Sequence, residues 1–447
     1  MPDNTITTVT MDKIVSLCKR RGFIFASSEI YGGLASAWDY GPLGVELKRR
    51  IQDFWWKEMT RLNSNIVGLD AAIMMHPMVW EASGHVKNFT DPLVDCKSCK
   101  SRFRADQLDE KTLKSRVCPE CGGQLTEPRQ FNLMFKTHIG AVEEESSIVY
   151  LRPETAQGIY VNYKNVMQSS RQKIPFGIAQ VGKAFRNEIT TKNFIFRTCE
   201  FEQMEMQFFI HPKEDEKWFD YWKEKRMEHY LKLGIKKEKL RFCEHGPDEL
   251  AHYAKKAFDI QFEFPFGWQE MEGIHNRTDY DLRRHSEYSG KDLQYLDEVT
   301  KERYIPYIIE TSAGLTRSVL MVLCDAYDEE EVEGEKRIVL RLHPEIAPVT
   351  VGVFPLVKKD GLVEIAGDIT GSIMDEFNTF YDQGGAIGRR YRRQDEIGTP
   401  FCITVDYQTK DDNTVTIRYR DSMEQERIKM DQIKSKLRQE IKAYKRI

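Results

Sequence analysis

The strongest helical signal lies over residues 44 to 62, GVELKRRIQDFWWKEMTRL. There Val45, Leu47, Ile51, Phe54, Trp55, Met59 and Leu62 recur at the three-and-four spacing of one buried face, just after a Gly-Pro-Leu-Gly stop. A strand is predicted from Ile66 to Met75, ended by Pro77. Over residues 184 to 209, AFRNEITTKNFIFRTCEFEQMEMQFF, the period changes to two. Ala184, Arg186 and Glu188 share one face of an extended chain; Phe201, Gln203, Glu205 and Gln207 share one face of a second strand, whose other face holds Met204, Met206 and Phe208. An antiparallel hairpin across TTKNFIFRT brings the charged sides over one surface, although an isolated hairpin with a solvated face would read the same way. Residues 211 to 262 read as a helical insertion, on the helical periodicity of a stretch rich in Lys, Glu, Trp and Tyr. After the acidic DEEEVEGE from Asp328 to Glu335, read as a linker, come APVTVGVFPLV, a helical AGDITGSIMDEFNTFYDQ, PFCITVD and TVTIRYR. They alternate as a small α/β domain does, with its boundary near His343 to Ala347.

A chain of 447 residues, 40% hydrophobic, can bury a large core and suggests roughly two to four domains. No stretch approaches the roughly 18 to 20 apolar residues that span a bilayer, and MPDNTITTVT lacks the features of a signal peptide, so a cytoplasmic protein is expected. The formal charge of −4 conceals two basic runs near the end, Arg389, Arg390, Arg392 and Arg393 in RRYRR and a tail after Gln425. Either run alone reads as a solvated face. Together they point to a nucleic acid contact, because phosphate neutralisation is a local effect. Tyr391 and Phe380 are then candidates for base stacking, with core packing as the alternative for Phe380.

Cys18, Cys199, Cys243, Cys324 and Cys402 are scattered singly in hydrophobic surroundings, as small core residues of a reducing compartment. Cys96 and Cys99 in CKSC, and Cys118 and Cys121 in CPEC, stand eighteen residues apart. That spacing fits a tetrahedral all-thiolate zinc site, closed and therefore structural; the alternative is four unligated thiols.

Three further segments carry chemistry. VYLRPETAQGIYVNY places Arg152 and Glu154 around a proline; WQEMEGIHNRTDYDL, residues 268 to 282, is acidic and contains glycine. In IETSAGLTRSVLMVLCDAY a strand over Tyr307 to Glu310 meets Ser312, Ala313 and Gly314, and Arg317 opens a helix. An arginine in a first turn opposes the helix dipole unless an anion sits there, and Gly314 permits a sharp turn and close approach of a ligand. Neither a GxxxxGK[ST] loop nor a GxGxxG after a strand occurs, so the common nucleotide cradles are missing.

Jointly these stretches resemble the three signature motifs of class II aminoacyl-tRNA synthetases, and within that class the homodimeric glycyl type. The helix and strand ending at Pro77 with VWEASGH resemble the first, FRNE with FRTCEFEQMEMQFF the second, and ETSAGLTR with its helix the third. The resemblance implies an α+β fold: a central antiparallel sheet flanked by helices over residues 1–345, with a zinc-knuckle insertion at 91–130 and the helical insertion at 211–262. Residues 346–447 would form an anticodon-binding α/β domain. It implies ATP with Mg²⁺ and glycine as substrates, tRNA(Gly) as partner, structural Zn²⁺, and a homodimer formed through the first motif. Arg186 and Arg317 would be catalytic. ATP would be held by Arg186, Asn187, Glu188, Phe196, Arg197, Phe201, Glu270, Met271, Gly314 and Arg317. Glycine would be held by Glu154, Phe201, Gln203, Glu205, Glu310, Ser312 and Gly314, with Arg104 closing over it. Thr311 stands where the resemblance leads one to expect proline. A noncatalytic nucleic-acid-binding relative, or a ligase charging a carrier protein, remain as alternatives.

Overall fold

The computed structural model describes residues 9–34, 36–191, 193–251 and 253–445. Seven strands form its central sheet: β1 (Ile66–Gly68), β2 (Phe176–Phe185), β3 (Glu200–Ile210), β4 (Leu240–Glu244), β5 (Lys256–Phe264), β6 (Gly267–Thr278) and β7 (Tyr307–Gly314). Their order is β4-β5-β6-β7-β3-β2-β1, antiparallel throughout except for β2 beside β1. The hairpin expected from the alternating pattern is β2–β3, with Ala184 opposite Phe201 and Gln180 opposite Glu205.

The apolar face of the sheet, with Met204, Met206, Phe208, Ile260, Phe262, Ile274 and Ile309, packs in the main core with the helices Pro42–Trp56, Asp215–Lys232 and Leu315–Ala326. Pro42–Trp56 starts with proline in its first turn, where a missing N–H costs nothing, and buries Leu47, Ile51 and Trp55. It continues through a wider π turn, Lys57–Arg61, which buries Met59, so the expected helix runs nearly its full length.

Four expectations need correction. The strand from Ile66 to Met75 is two strands: β1 in the central sheet, and Met74–Met75 paired with Ile148–Leu151. The helical insertion holds one helix, Asp215–Lys232; residues 240–244 and 256–264 are β4 and β5, integral to the central sheet. In β5 Ile260, Phe262 and Phe264 are buried between exposed or half-buried neighbours, a two-residue alternation that the flanking Lys and Glu obscured. The acidic linker is an antiparallel hairpin, Tyr327–Val332 with Glu335–Leu340. Three of its acids are paired with bases outside the hairpin: Arg341 bonds Asp328 at 2.9 Å and Glu330 at 3.0 Å, and Lys13 bonds Glu329 at 3.0 Å. The helical stretch around residues 366 to 383 stops at Ile373, and Thr379–Tyr381 is an edge strand.

The C-terminal sheet runs Thr379–Tyr381, Val351–Pro355, Phe401–Val405, Thr414–Tyr419, Gln425–Lys429, the first three parallel and the rest antiparallel, around a core of its own. It bears out the α/β alternation. Its helix Ile387–Ile397 docks on the acidic hairpin: buried Asp395 accepts from Arg337 Nε at 2.9 Å and from Arg418 at 2.9 and 3.1 Å. The basic run does not act as one surface. Arg390 is buried and donates to the carbonyls of Pro355 and Leu356, and the Tyr391 hydroxyl pairs with Thr404, whereas Arg389 is exposed and Phe380 is 41% exposed.

Residues 90 to 132 form a small module: a three-stranded sheet of Arg102–Arg104, Thr90–Asp95 and Arg129–Asn132, over a core of Val94, Cys96, Ala105, Cys118 and Leu125.

Candidate active site

The polar face of the sheet opens as a cleft of about 230 Å³, lined by β3, β6 and β7, the start of the helix after β7, and the loop joining β2 to β3. Alternation along β3 brings in Phe201, Gln203 and Glu205, and alternation along β7 brings in Glu310, Ser312 and Gly314. On β6 the count changes. A bulge lies at Met271, where Gln261 pairs with Glu270 and Ile260 with Glu272. One extra residue therefore turns Glu270 to the same side as Gly273 and His275, which line the cleft, and buries Met271 in the core.

One end of the cleft is carboxylate. Glu205, on β3, accepts from Thr155 Oγ1 at 2.7 Å, Gln203 Nε2 at 3.0 Å and Ser312 Oγ at 2.8 Å. Glu310 accepts from Gln207 Nε2 at 2.9 Å and from Arg277 at 3.1 and 3.2 Å, with His275 Nδ1 3.1 Å away. Glu154 accepts from Gln157 Nε2 at 3.0 Å, and His85 Nε2 lies 3.3 Å from its other oxygen. Burial, then the charges of Glu310 and Glu154, push the Glu205 carboxyl up to about 8. Burial also works to raise Glu310, but the Arg277 guanidinium outweighs it and holds Glu310 down at about 2. Glu154 is likewise held below the usual carboxylate range, with His85 overcoming its burial. Of the three, Glu205 is the carboxyl pushed toward keeping its proton, and Glu154 and Glu310 are pushed toward losing theirs.

The other end is cationic and aromatic. Arg186, just beyond β2, lies between the rings of Phe89 and Phe201, 5.3 and 5.2 Å from their centroids, and donates Nε–H to Pro153 O at 3.0 Å. Arg317 lies over Phe196 at 4.5 Å and donates to the Glu270 carbonyl at 3.1 Å. Burial alone would raise Glu270, but Arg317 and then His275 bring its carboxyl below the ordinary value. A flat guanidinium on an aromatic ring marks out a slot that a planar ring system can enter, and two arginines at its rim suit phosphate oxygens. Glu188 and Arg197 stand 3.9 Å apart at the same end. At Gly314 the backbone φ is −79°, so the residue supplies room and no unusual turn: a Cβ there would come within 3.3 Å of the Arg317 side chain.

Thirteen of the sequence-derived candidates thus line one cleft: Glu154, Arg186, Glu188, Phe196, Arg197, Phe201, Gln203, Glu205, Glu270, Glu310, Ser312, Gly314 and Arg317. Met271 and Asn187 do not; Asn187 donates its N–H to Leu133 O at 2.7 Å. Arg104 also stays outside, paired with Asp91 at 2.8 Å and Asp106 at 2.7 Å. Thr311 is buried within β7 between β3 and β6, ahead of the strand end.

His275 and Arg277 line the cleft as well, and Gly273, His275 and Arg277 follow the two-residue alternation of β6, a signal that points to them in the sequence. Arg277 is buried, bonds Asp281 at 2.8 and 3.1 Å, and lies 3.8 Å from the Tyr253 ring centroid. Replacing it by alanine leaves Glu310 and Asp281 buried without their cation. Arg277→Ala is expected to lose about 3–5 kcal/mol of unfolding free energy in urea titrations.

In the small module the four cysteine sulfurs lie within 4.8 Å of one another, Cys96 to Cys121 at 3.5 Å and Cys99 to Cys118 at 3.8 Å. Metal–sulfur bonds of about 2.3 Å at tetrahedral angles separate sulfurs by about 3.8 Å, so the group is already shaped for a metal ion.

An antiparallel sheet with paired arginines, stacked rings and a carboxylate end fits the class II tRNA synthetase core that the resemblance implies. The family described as tRNA synthetase class II core domain (G, H, P, S and T) matches residues 135–326, and that described as anticodon binding domain matches residues 350–440. Glycine–tRNA ligase of Treponema denticola is 68% identical over 98% of each chain. That of Borreliella burgdorferi is 63% identical over 98% of this chain and 99% of its own, and that of Treponema pallidum 58% over 98% and 100%. The chain belongs to the glycine–tRNA ligase family.

Proposed function

We infer that the protein is a glycine–tRNA ligase of the homodimeric type, which activates glycine with ATP and transfers it to the 3′ end of tRNA(Gly). The observation that carries this reading is the single cleft with carboxylates at one end and ring-backed arginines at the other. Glu154, Glu205 and Glu310 receive the glycine ammonium, with Ser312 and Gln203 beside the α-carbon, and larger amino acids are rejected by sterics at that point. Arg186 holds the glycine carboxylate against the α-phosphate. A carboxylate oxygen then attacks the α-phosphorus, the bond to pyrophosphate breaks, and glycyl-adenylate forms. Positioning and charge stabilisation by arginine meet the demands of this step, which needs no general base. Phe201 and Arg317 take the two faces of adenine, Arg317 also reaches the γ-phosphate, and Glu188 accepts from the adenine amino group. Phe196, Arg197, Glu270 and Gly314 complete the nucleotide end. Asn187 and Met271 contribute through their backbone, since their side chains are not in the cleft. Mg²⁺ carried in with ATP supplies further neutralisation of the phosphates. In the second step a terminal ribose hydroxyl of the tRNA attacks the glycyl carbonyl and AMP leaves. Arg104 serves only if the module swings inward from its ties to Asp91 and Asp106.

Residues 1–345 act as the catalytic domain and 346–447 read the anticodon, for which exposed Arg389 and Phe380 are available and buried Arg390 is not. The dimer reading is supported by β1, an outer strand of its sheet, and by exposed Leu62, Met74 and Met78 around the first motif. Among the described residues no helix is long and apolar enough to cross a membrane; a role in charging tRNA places the protein in the cytoplasm. ATP-dependent, acid-precipitable attachment of labelled glycine to tRNA(Gly) tests the function, and no charging of that tRNA would refute it.

Cys96, Cys99, Cys118 and Cys121 bind structural Zn²⁺, which ties together a module whose apolar core is too small to hold alone. Freshly purified protein is expected to carry about one zinc per chain, and Cys96→Ser to lose it. Retention of full zinc by that variant would contradict the assignment.

A further inference from the structure

We propose that His85 is a positioning residue for glycine recognition, holding Glu154 from behind so that this carboxylate meets the substrate ammonium in one fixed orientation. The inference rests on the reading of Glu154 as a ligand of that ammonium.

His85 lies outside all three sheet strands that build the cleft. It opens the short helix His85–Asn88, after Pro77–Ala82 and a left-handed glycine, Gly84, at φ 83°. Its side chain and that of Glu154 are 11% and 14% exposed, so the contact between them is shielded from water on most sides. His85 Nε2 stands 3.3 Å from Glu154 Oε2, while Ser83 Oγ stands 2.7 Å from His85 Nδ1. Ser83 Oγ also donates to Trp80 O at 3.3 Å, so its lone pairs are free to face Nδ1, and the ring is engaged at both nitrogens, by Ser83 at Nδ1 and by Glu154 at Nε2. The ring is also wedged between Trp80 and Phe89, 5.5 and 5.4 Å away by centroids, and Asn132 Nδ2 donates to the carbonyls of His85 and Val86 at 3.3 and 3.0 Å. So its rotamer is fixed by packing and its orientation by a contact at each ring nitrogen.

Glu154 needs such a partner. It sits within a loop between the strand Ile148–Leu151 and the helix Ala156–Val161, where no sheet alternation dictates its direction. Gln157 anchors Oε1 at 3.0 Å, and only His85 meets Oε2 among the described residues. Gln157 is itself held by Asp281 at 3.0 Å and His285 at 2.8 Å. Remove His85 and the carboxylate can rotate about its remaining anchor, or move toward Arg277, whose charge reaches it. Either movement takes it away from the position opposite Glu205 and Glu310. The effect falls first on the ammonium end; among the described residues His85 reaches the arginine end only through Phe89, whose ring also lies against Arg186.

The test is steady-state ATP–pyrophosphate exchange with the full-length protein, comparing His85→Ala, His85→Gln and Glu154→Gln. His85→Ala is expected to raise KM for glycine about 10–100-fold, the loss of one hydrogen bond to a charged group, with KM for ATP within about twofold of the parent. His85→Gln places an amide donor near the Nε2 position and is expected to recover most of the loss. Thermal unfolding of each variant, read alongside, separates a failure to fold from a failure to position. If His85→Ala raises both KM values alike, or if His85→Gln is as impaired as His85→Ala at equal thermal stability, the residue acts through the fold in general and the proposal is overturned. If His85→Ala leaves KM for glycine unchanged while Glu154→Gln raises it, the proposal fails and the ammonium site stands. An unchanged KM in Glu154→Gln overturns both.

Discussion

Arg186→Ala is expected to lower the rate of ATP–pyrophosphate exchange at saturating substrates by about 10²–10³-fold or more while leaving the protein folded. The side chain is placed by two rings and one carbonyl: Phe89 and Phe201 on its faces, and Pro153 O accepting from Nε. None of these partners carries charge, and among the described residues no carboxylate is ion-paired with the guanidinium, although Glu270 and Asp91 lie within reach of its charge. That is the arrangement for a group whose counter-ion arrives with the substrates. Charge builds on the α-phosphate as the glycine carboxylate closes on it, and the interaction is strongest there, so the loss belongs in kcat more than in KM. Arg186→Lys keeps the charge and loses the flat fork; it is expected to fall between the parent and Arg186→Ala. Near-normal exchange by Arg186→Ala would remove Arg186 from the mechanism.

The second large effect is on pH. In the free cleft Glu205 is pushed up to about 8 by burial and by its neighbours Glu310 and Glu154, so at pH 7 it is mostly protonated. A glycine ammonium favours the ionised form. Binding must then expel a proton, and raising the pH from 6 to 8 is expected to tighten glycine binding about fifty-fold, until deprotonation of the glycine amine reverses the trend. Calorimetric titrations in buffers of different ionisation enthalpy should find close to one proton released per glycine at pH 7. Glu205→Gln should abolish this release, and a parent protein that releases none would disprove the linkage. The same shift has a sign for stability. A carboxyl raised in the folded state binds its proton there at pH values where the unfolded chain has lost it. Its contribution to stability therefore falls as pH rises from the ordinary glutamate range toward 8.

The cleft was legible in the sequence wherever strand alternation alone decides which way a side chain points. Phe201, Gln203 and Glu205 on β3, and Glu310 and Ser312 on β7, needed only a period of two. Glu270 and Met271 show the limit, because the bulge between them reverses the alternation and nothing in WQEMEGIH marks it. β4 and β5 were hidden by the charged residues on their solvent-facing side, which filled in a helical pattern across residues that fold as strands. Arg390 illustrates a different gap. A run of arginines reads as one basic surface, but on a helix successive residues point apart: Arg390 is buried and bonds the carbonyls of Pro355 and Leu356, Arg393 bonds the Gly384 carbonyl at 2.7 Å, and Arg389 is exposed. His85 and Phe89 could not have been found from spacing at all, since they reach Glu154 and Arg186 from a short helix and the residue that follows it, remote in sequence.

The central claim is that three glutamates and two arginines, brought together from separate stretches of the chain, form one site for an amino acid and a nucleotide. ATP–pyrophosphate exchange with each of the twenty amino acids supplied alone tests it most directly. Glycine alone should support exchange. Equal stimulation by alanine or serine, or none by glycine, would contradict it.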